Sequence, residues 1–351
     1  MIERLRSVVA DSYDRAEGWL LDEKRATYGA SVSRIVYGVV MVAFVLANAS
    51  TAQYHWGGAS GWADPMRETN TWGFPFTVFS HTEPNVVFLL LYALLGVAGL
   101  SLMVGFYSRL SAMVCLYLYI SLVSGNPLNV DQTDNAIRII LFFFCFTDLS
   151  RHWSVDAWRR SRPSWRPWTQ RFPALGKLSW VPILLHNFAI VAIAVQLFII
   201  YTVAGLSKVK GVAWQNGTAV YYPLNVARFE PWPAINHLLG ANALLVMIAT
   251  YVAVFVQLFF PFLMLAKWTR RLALLGIFAL HAGIALFMGL PLFSLSMLAA
   301  DTIFISTPTY LWLEAVIQRM LARIRRSDPA AEQRRPWPED AAAASRAAGK
   351  G

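Results

Sequence analysis

Residues 183–206 read ILLHNFAIVAIAVQLFIIYTVAGL, and this apolar stretch decides the fold of the chain. A helix of this length crosses the roughly 30 Å hydrocarbon layer of a bilayer. The rest of the chain is similar, because 57% of its 351 residues are hydrophobic, only 14% are charged, and the mean hydropathy is +0.47. A soluble core cannot bury so much apolar surface. We therefore predict an integral membrane protein.

Comparable apolar blocks on both sides of this stretch predict an all-α, polytopic helical bundle with about eight transmembrane helices. The predicted spans are 33–49, 85–106, 110–123, 135–149, 183–206, 241–266, 272–290 and 292–313. The third and fourth are short, which is typical of helices that are buried against neighbours rather than exposed to lipid.

Lysine and arginine are distributed unevenly among the predicted loops, and this bias orients the bundle. With both termini on the cytoplasmic side, the outer segments contain only Arg67, Arg138, Lys208, Lys210 and Arg228. The net charge of +10 then arises from inner loops that face an anionic leaflet, so we expect no nucleic-acid partner. We expect a multi-pass protein of a cell membrane, the bacterial plasma membrane, with N-in/C-in topology.

The spans divide the chain into three regions. Residues 1–32 form a cytoplasmic amphipathic lead, 33–315 the transmembrane domain, and 316–351 a basic cytoplasmic tail that we expect to be disordered. An inner linker, 159–180, is rich in Arg, Pro and Trp, and it fits an interfacial segment as well as a plain tether. An outer loop, 208–240, is rich in aromatic residues.

The outer loop contains three aromatic residues that we consider candidates for substrate binding, Trp214, Tyr221 and Tyr222. They fit a lid or an entry path for an amphiphile, and equally an ordinary aromatic belt at the membrane surface. The predicted topology places further polar and aromatic groups on the same face, among them His55, Trp56, Trp72 and His81.

Tyr201 and Lys208 are seven residues apart on the fifth predicted helix and therefore lie nearly on one face. Between them, Ala204 and Gly205 allow another backbone to approach closely. The pair is a candidate catalytic site, because a partly desolvated lysine can act as a base. A lysine that snorkels to water beside an interfacial tyrosine explains the spacing as well.

Gln196, His281 and Asp301 fall at similar predicted depths in the membrane, where polar groups usually face the bundle interior. His281 and Asp301 lie on consecutive antiparallel helices, and we expect their side chains to touch. A structural pair and a proton relay both fit this arrangement, with Gln196 as a substrate-binding candidate.

The fourth predicted helix begins with a polar cluster that contains Asp131, Asp134 and Arg138. Helix capping accounts for one of the two aspartates but hardly for both. Asp134 and Arg138 have the i,i+4 spacing of an ion pair. Arg138 could instead meet an anionic substrate group, so both residues are substrate-binding candidates.

Four stretches of the sequence carry a resemblance to a known family. They are residues 134–158, 201–217, Leu280–His281 and 288–298, which read DNAIRIILFFFCFTDLSRHWSVDAW, YTVAGLSKVKGVAWQNG, LH and MGLPLFSLSML. Their order and spacing resemble the horizontally transferred transmembrane (HTTM) family, which is related to the membrane domain of vitamin K-dependent gamma-carboxylase.

This resemblance implies a helical membrane fold with its site on the extracytoplasmic side. In the carboxylase, a lysine after the fifth helix deprotonates a reduced quinone, and the matching residue here is Lys208. The histidine of the LH stretch corresponds to His281, and the WS-x-D stretch to Trp153, Ser154 and Asp156. This chain has Thr133 where the carboxylase has a histidine, and the sequence shows no large lumenal domain. We therefore expect the lysine chemistry to carry over more readily than glutamate carboxylation.

Two hypotheses about function stay open. In the first, the protein is an enzyme, carboxylase-like or lyase-like, that uses Lys208 as a base on a quinol or another lipid-soluble substrate, with a reduced quinone as the implied cofactor. In the second, it is a non-catalytic membrane partner in the maturation or export of a secreted peptide or protein. A transporter is disfavoured, because no inverted repeat is evident. No metal-ligand spacing is present either, so we expect no metal.

The predicted topology can be tested by cysteine labelling. A cysteine introduced at Asn216 is expected to react with an impermeant thiol reagent added outside the cell, whereas one at Ser164 is expected to stay unlabelled. Labelling of intact and permeabilised cells checks this, and the reverse pattern would contradict the orientation.

Overall fold

The computed structural model of the chain describes residues 2–64, 77–79, 84–163 and 178–326. Several sequence predictions fall outside these residues. They concern Arg67, Trp72, His81, Ser164, the larger part of the linker, and the tail beyond residue 326.

Every regular element in the described ranges is helical, which confirms the predicted all-α class. The helices are, in chain order, α1 (Ile2–Leu21), α2 (Thr27–Ala47), α3 (Ala52–His55), α4 (Asn85–Val104), α5 (Ser108–Ser124), α6 (Gln132–Phe144), α7 (Val155–Arg160), α8 (Val181–Val209), α9 (Val212–Gln215), α10 (Tyr221–Leu224), α11 (Pro233–Ala241), α12 (Ala243–Leu263), α13 (Lys267–Phe287), α14 (Pro291–Asp301) and α15 (Thr307–Arg326).

Among the described residues, five helices are long and apolar enough to cross a membrane, namely α2, α4, α8, α12 and α13. The number becomes six if α14 and α15 are counted as one broken span. The third and fourth predicted spans correspond to α5 with 17 residues and α6 with 13 residues, so the prediction that they are short is confirmed. The total of about eight spans and the orientation stay predictions.

The eighth predicted span, 292–313, is wrong as one continuous helix. The α-helix α14 ends at Asp301, and a 3-10 turn, Thr302–Phe304, follows it. The Thr302 hydroxyl lies 2.6 Å from the backbone carbonyl of Ala299 and 2.9 Å from that of Gly29, so its one proton is shared between α14 and the start of α2. The next helix then begins at Thr307 with Pro308 in its first turn, a position that favours proline.

The chain divides into two compact units, Met1–Phe304 and Ile305–Gly351. Helix α15 belongs to the second unit. In the first unit, α2 packs against both α4 and α14. Glycine makes the packing of α2 on α4 possible, because a Cβ at Gly38 would lie 2.4 Å from the backbone nitrogen of Met103.

A second close approach joins α8 to α12. A Cβ built at Gly205 would lie 2.8 Å from the Cα atom of Leu258. The prediction that Gly205 allows another backbone to approach is therefore confirmed, and any larger side chain here would push α12 away from α8.

Arg34 lies on α2 with its side chain completely buried. Its guanidinium donates to two carbonyls at the end of α4, Leu102 at 2.6 Å and Met103 at 2.5 Å. It also donates to Leu149 at 3.0 Å and to Trp153 at 2.8 Å, in the connection between α6 and α7. One buried charge thus joins three separate segments of the chain.

The WS-x-D stretch begins with Trp153, which accepts a hydrogen bond from Arg34, and its other two named residues form further contacts between helix ends. The Ser154 hydroxyl accepts from the backbone N–H of Ala157 at 2.9 Å and caps α7. The Asp156 carboxylate accepts from the backbone N–H groups of Tyr107 at 3.1 Å and Ser108 at 3.0 Å, at the start of α5. In this structure the stretch therefore connects helix ends.

The start of α8 holds the segment that links α1 to α2. The Asn187 side chain donates to the Glu23 carbonyl at 2.8 Å and accepts from the Arg25 backbone N–H at 2.8 Å. His186 accepts from the Asp148 backbone N–H through Nδ1 at 2.9 Å, so its Nε2–H donates to the Arg25 carbonyl at 2.7 Å. Both side chains are fully buried.

Lys24 adds an ion pair to this linking segment, with Nζ 2.6 Å from Asp148 Oδ2. Burial acts to raise the pKa of the Asp148 carboxyl, but the paired Lys24 ammonium and the nearby Arg160 guanidinium together hold this pKa below its usual range. The ion pair therefore persists at neutral pH.

The role of Arg34 can be tested by Arg34→Lys. The variant is expected to lose about 2–4 kcal/mol of stability, because lysine lacks the planar fork that reaches four carbonyls and leaves buried acceptors unpaired. The thermal midpoint of the protein in a mild detergent measures this loss. Arg228→Lys, at an exposed position, is the control and should leave the midpoint unchanged. Equal midpoints for both variants would contradict the proposed role of Arg34.

Candidate functional site

Three polar side chains meet inside the bundle, each from a different helix. The Tyr201 hydroxyl on α8 donates to Asp301 Oδ2, at the end of α14, over 2.6 Å. The same hydroxyl oxygen lies 3.3 Å from His281 Nε2 on α13. The three residues are 1% exposed or less, so their polar atoms are removed from solvent. We call this group the buried triad.

The predicted contact between His281 and Asp301 is indirect. The two side chains form no direct hydrogen bond, because the Tyr201 hydroxyl stands between them. A hydroxyl that gives its single proton to Asp301 can only accept from His281, which requires the tautomer with a proton on Nε2. The helix spacing predicts that Tyr201 shares a face with Lys208, but it does not predict that Tyr201 lies between His281 and Asp301.

Gln196 forms no hydrogen bond with the triad. It is half-buried on α8 and has no hydrogen-bond partner among the described residues. Tyr201, five residues further along α8, is the residue of this helix that contacts His281 and Asp301. The depth of Gln196 in the membrane and its part in substrate binding stay predictions.

Within the part of the chain that the structure describes, two atoms of the triad have no hydrogen-bond partner, His281 Nδ1 and Asp301 Oδ1. Tyr37 on α2 is also completely buried, its hydroxyl has no described partner, and it lies within electrostatic range of the Asp301 carboxyl. Tyr37 was missed, because a tyrosine in an apolar helix cannot be distinguished by sequence from a core residue. These unpaired atoms can hold or pass protons.

Lys208 lies in the last turn of α8 and is half-buried. Its ammonium lies 5.2 Å from the ring centroid of Trp214, on the short helix α9. No carboxylate among the described residues forms an ion pair with Lys208. The structure thus brings Lys208 and Trp214 together, seven residues along α8 from Tyr201.

Tyr221 and Tyr222 lie apart from this lysine. They are 46% and 58% exposed and contact each other edge to face, with ring centroids 5.9 Å apart. They belong to the accessible surface of the loop and not to the triad or to the Lys208 environment.

Both aspartates at the start of α6 serve as caps, which corrects the expectation that capping explains only one. The Asp131 carboxylate accepts from the backbone N–H groups of Thr133 at 2.6 Å and Asp134 at 3.3 Å. The Asp134 carboxylate accepts in return from the Asp131 N–H at 2.7 Å. Asp134 also accepts a short hydrogen bond from the Tyr119 hydroxyl, so this carboxylate is held from two sides.

The predicted ion pair between Asp134 and Arg138 is absent. The Arg138 guanidinium donates to the backbone carbonyl of Asp134 at 3.3 Å and to the side chain of Asn135. The carboxylate of Asp134 is already bound on its other side by Tyr119 and Asp131, which explains why Arg138 does not reach it.

A cavity of about 580 Å³ lies beside the start of α6. It is lined by side chains of α2, α5, α6 and α14 and of the connection that follows α2. Asp134 and Tyr119 face it, whereas Lys208 and the triad do not. Phe293 lines the cavity and also contacts the His281 ring, with centroids 5.5 Å apart. The cavity and the triad therefore share no residue, and Phe293 lies next to both.

The apolar helices and the polar groups buried among them define a multi-pass helical membrane protein. Residues 25–308 match the HTTM domain, and the chain therefore belongs to the HTTM family. No solved protein structure matches the chain.

Tyr201→Phe tests the bridging role of the phenol. The variant is expected to lose about 1–3 kcal/mol of stability, because it leaves the buried Asp301 carboxyl without a hydrogen bond. Tyr222→Phe removes an exposed hydroxyl and serves as the matched control. Thermal midpoints in detergent compare the two, and a midpoint for Tyr201→Phe equal to that of the control would refute the bridge.

Proposed function

We propose that this protein is an integral membrane enzyme in which Lys208 acts as a base on a lipid-soluble substrate at the extracytoplasmic face. The observation that carries the proposal is the environment of Lys208. Its ammonium is half-buried, lies near the Trp214 ring and has no ion-pair partner among the described residues. Lysine serves as a base when it is partly desolvated and lacks a counter-ion.

The surroundings of Lys208 suit a substrate that arrives through the membrane. Apolar side chains of the same part of α8 are exposed, Val203 by 56% and Leu206 by 49%, so this end of the helix presents a lipid-compatible surface. A flat aromatic substrate could stack on Trp214 with an acidic hydroxyl near the ammonium nitrogen.

A reduced quinone fits these residues. When bound, it would supply a hydroxyl group as the proton donor. The neutral Lys208 amine would take that proton and become an ammonium, and Trp214 would orient the ring. Tyr201, the member of the buried triad on α8, lies seven residues before Lys208, which is about 10 Å along the helix axis. Tyr201, His281 and Asp301 would therefore hold or return protons from a distance.

A second candidate function is docking of a secreted peptide or protein during its maturation or export, without catalysis. The exposed aromatic residues of the outer loop favour it, since Tyr221, Tyr222 and Trp232 are 46%, 58% and 56% exposed. Aromatic residues on an accessible surface are typical of binding sites for other proteins. This function would not require the chemistry of Lys208.

Lys208→Arg separates the two functions. In proteoliposomes supplied with a reduced naphthoquinone under air, the variant is expected to consume the quinol about 100-fold more slowly, because arginine keeps the charge but cannot act as a base. Lys210→Arg, two residues away and exposed, should behave as the wild-type protein.

Absorbance at the naphthoquinone band follows the reaction, and equal thermal midpoints confirm that both variants are folded. Mass spectrometry of lipids and quinones that are extracted with the purified protein would identify the natural substrate. An unchanged rate in Lys208→Arg, or no rate above that of empty liposomes in the wild-type protein, would favour the docking function.

A further inference from the structure

The cavity beside α6 is a candidate binding site that is independent of Lys208. Its volume of about 580 Å³ is large enough for a small organic molecule. Four aromatic side chains form much of its wall, namely Phe44, Trp56, Tyr119 and Phe293. The Phe44 ring lies 5.6 Å from the Trp56 ring and 5.3 Å from the Tyr119 ring, measured between centroids. Such a wall attracts cations to the faces of its rings.

The ionisable side chains that line this cavity are mainly acidic. Asp131 and Asp134 line it, and none of its described lining residues is a lysine or an arginine. Arg138 is near in sequence but donates to the Asp134 backbone carbonyl and the Asn135 side chain, so it forms no ion pair with the Asp134 carboxylate. The carboxylate is 6% exposed and accepts hydrogen bonds from neutral groups only, the Tyr119 hydroxyl and the Asp131 N–H.

His55 also lines the cavity. Its Nδ1 lies 3.1 Å from the Asn129 amide nitrogen. The His55 ring is therefore paired with Asn129, whereas the Asp134 carboxylate is bound by Tyr119 and the Asp131 N–H.

Trp56 provides a second, independent sign of a ligand. Its side chain is only 6% exposed and lines the cavity, and its indole Nε1–H has no hydrogen-bond partner among the described residues. A buried donor without an acceptor is unfavourable, and a ligand oxygen in the cavity would satisfy it.

We propose that this cavity binds the ammonium group of an amine amphiphile that carries an oxygen atom two carbons away from the amine nitrogen. Asp134 pairs with the ammonium, the aromatic wall surrounds it, and the Trp56 N–H donates to the ligand oxygen. An ethanolamine-type lipid headgroup and a free amino alcohol derivative share this chemistry.

Three matched probes test the proposal by isothermal titration calorimetry in a nonionic detergent at pH 7. They are 2-phenoxyethylamine, the neutral 2-phenoxyethanol, and 3-phenylpropylamine, in which a methylene replaces the oxygen. The first is expected to bind about tenfold or more tightly than the second, because only the amine carries a charge for Asp134. It should also bind more tightly than the third, which offers no acceptor to Trp56.

Two variants assign these preferences to residues. Asp134→Asn keeps an acceptor for Tyr119 and Asp131 and so retains the fold, but it should remove the preference for amine over alcohol. Trp56→Phe should weaken 2-phenoxyethylamine to the level of 3-phenylpropylamine and leave the latter unchanged. Asp11→Asn, an exposed position on α1, is the control for loss of a negative charge.

Equal binding of amine and alcohol to the wild-type protein would overturn the proposal, as would an amine preference that persists in Asp134→Asn. Lys208→Arg should leave the affinities of all three probes for the cavity unchanged. The titrations therefore test the cavity independently of the quinol experiment, which tests Lys208. Repeating the titration in nanodiscs identifies the source of the amine. Asp134→Asn is measured beside the wild-type protein in each lipid, because both experience the same attraction of the cation to an anionic bilayer. A smaller difference between the two proteins in phosphatidylethanolamine than in phosphatidylglycerol indicates the lipid headgroup, and equal differences indicate a free amine.

Discussion

The buried guanidinium of Arg34 is the constraint on which the first unit of the chain depends. A charge inside an apolar bundle is tolerated only when its donors are satisfied, and here backbone carbonyls satisfy them. Two of these carbonyls end α4, where the helix dipole concentrates negative charge. A third belongs to Trp153, whose left-handed backbone (φ 45°) is unfavourable for this residue type. The hydrogen bond to Arg34 offsets that strain.

The position of the buried triad follows from the same helix. Helix α2 carries Arg34 at the junction and Gly29 one to two turns earlier, where the Gly29 carbonyl accepts the Thr302 hydroxyl. Thr302 directly follows Asp301, the last residue of α14, so α2 contacts the backbone of α14 next to the carboxyl that Tyr201 binds. The Asp301 carboxyl, which is costly to bury, thus lies next to a residue that contacts the backbone of α2.

Hydropathy was sufficient to predict the helical class and most helix positions, because long apolar blocks leave few alternatives in a membrane. The cost of burying polar groups was also sufficient to single out His281 and Asp301. Spacing along one helix could not show that Tyr201 bridges them, since that depends on how α8 and α13 pack. Trp56 escaped prediction as a cavity residue for a similar reason, because burial and an unpaired donor become visible only in three dimensions.

Phe293 borders two polar environments, since it lines the cavity and its ring also contacts His281. An apolar side chain in that place offers no hydrogen bond that could connect a ligand in the cavity to the triad. Its half-buried side chain is also the single described ring that belongs to both sites. A change of side chain at this one position would therefore alter the wall of the cavity and the surroundings of His281 at the same time.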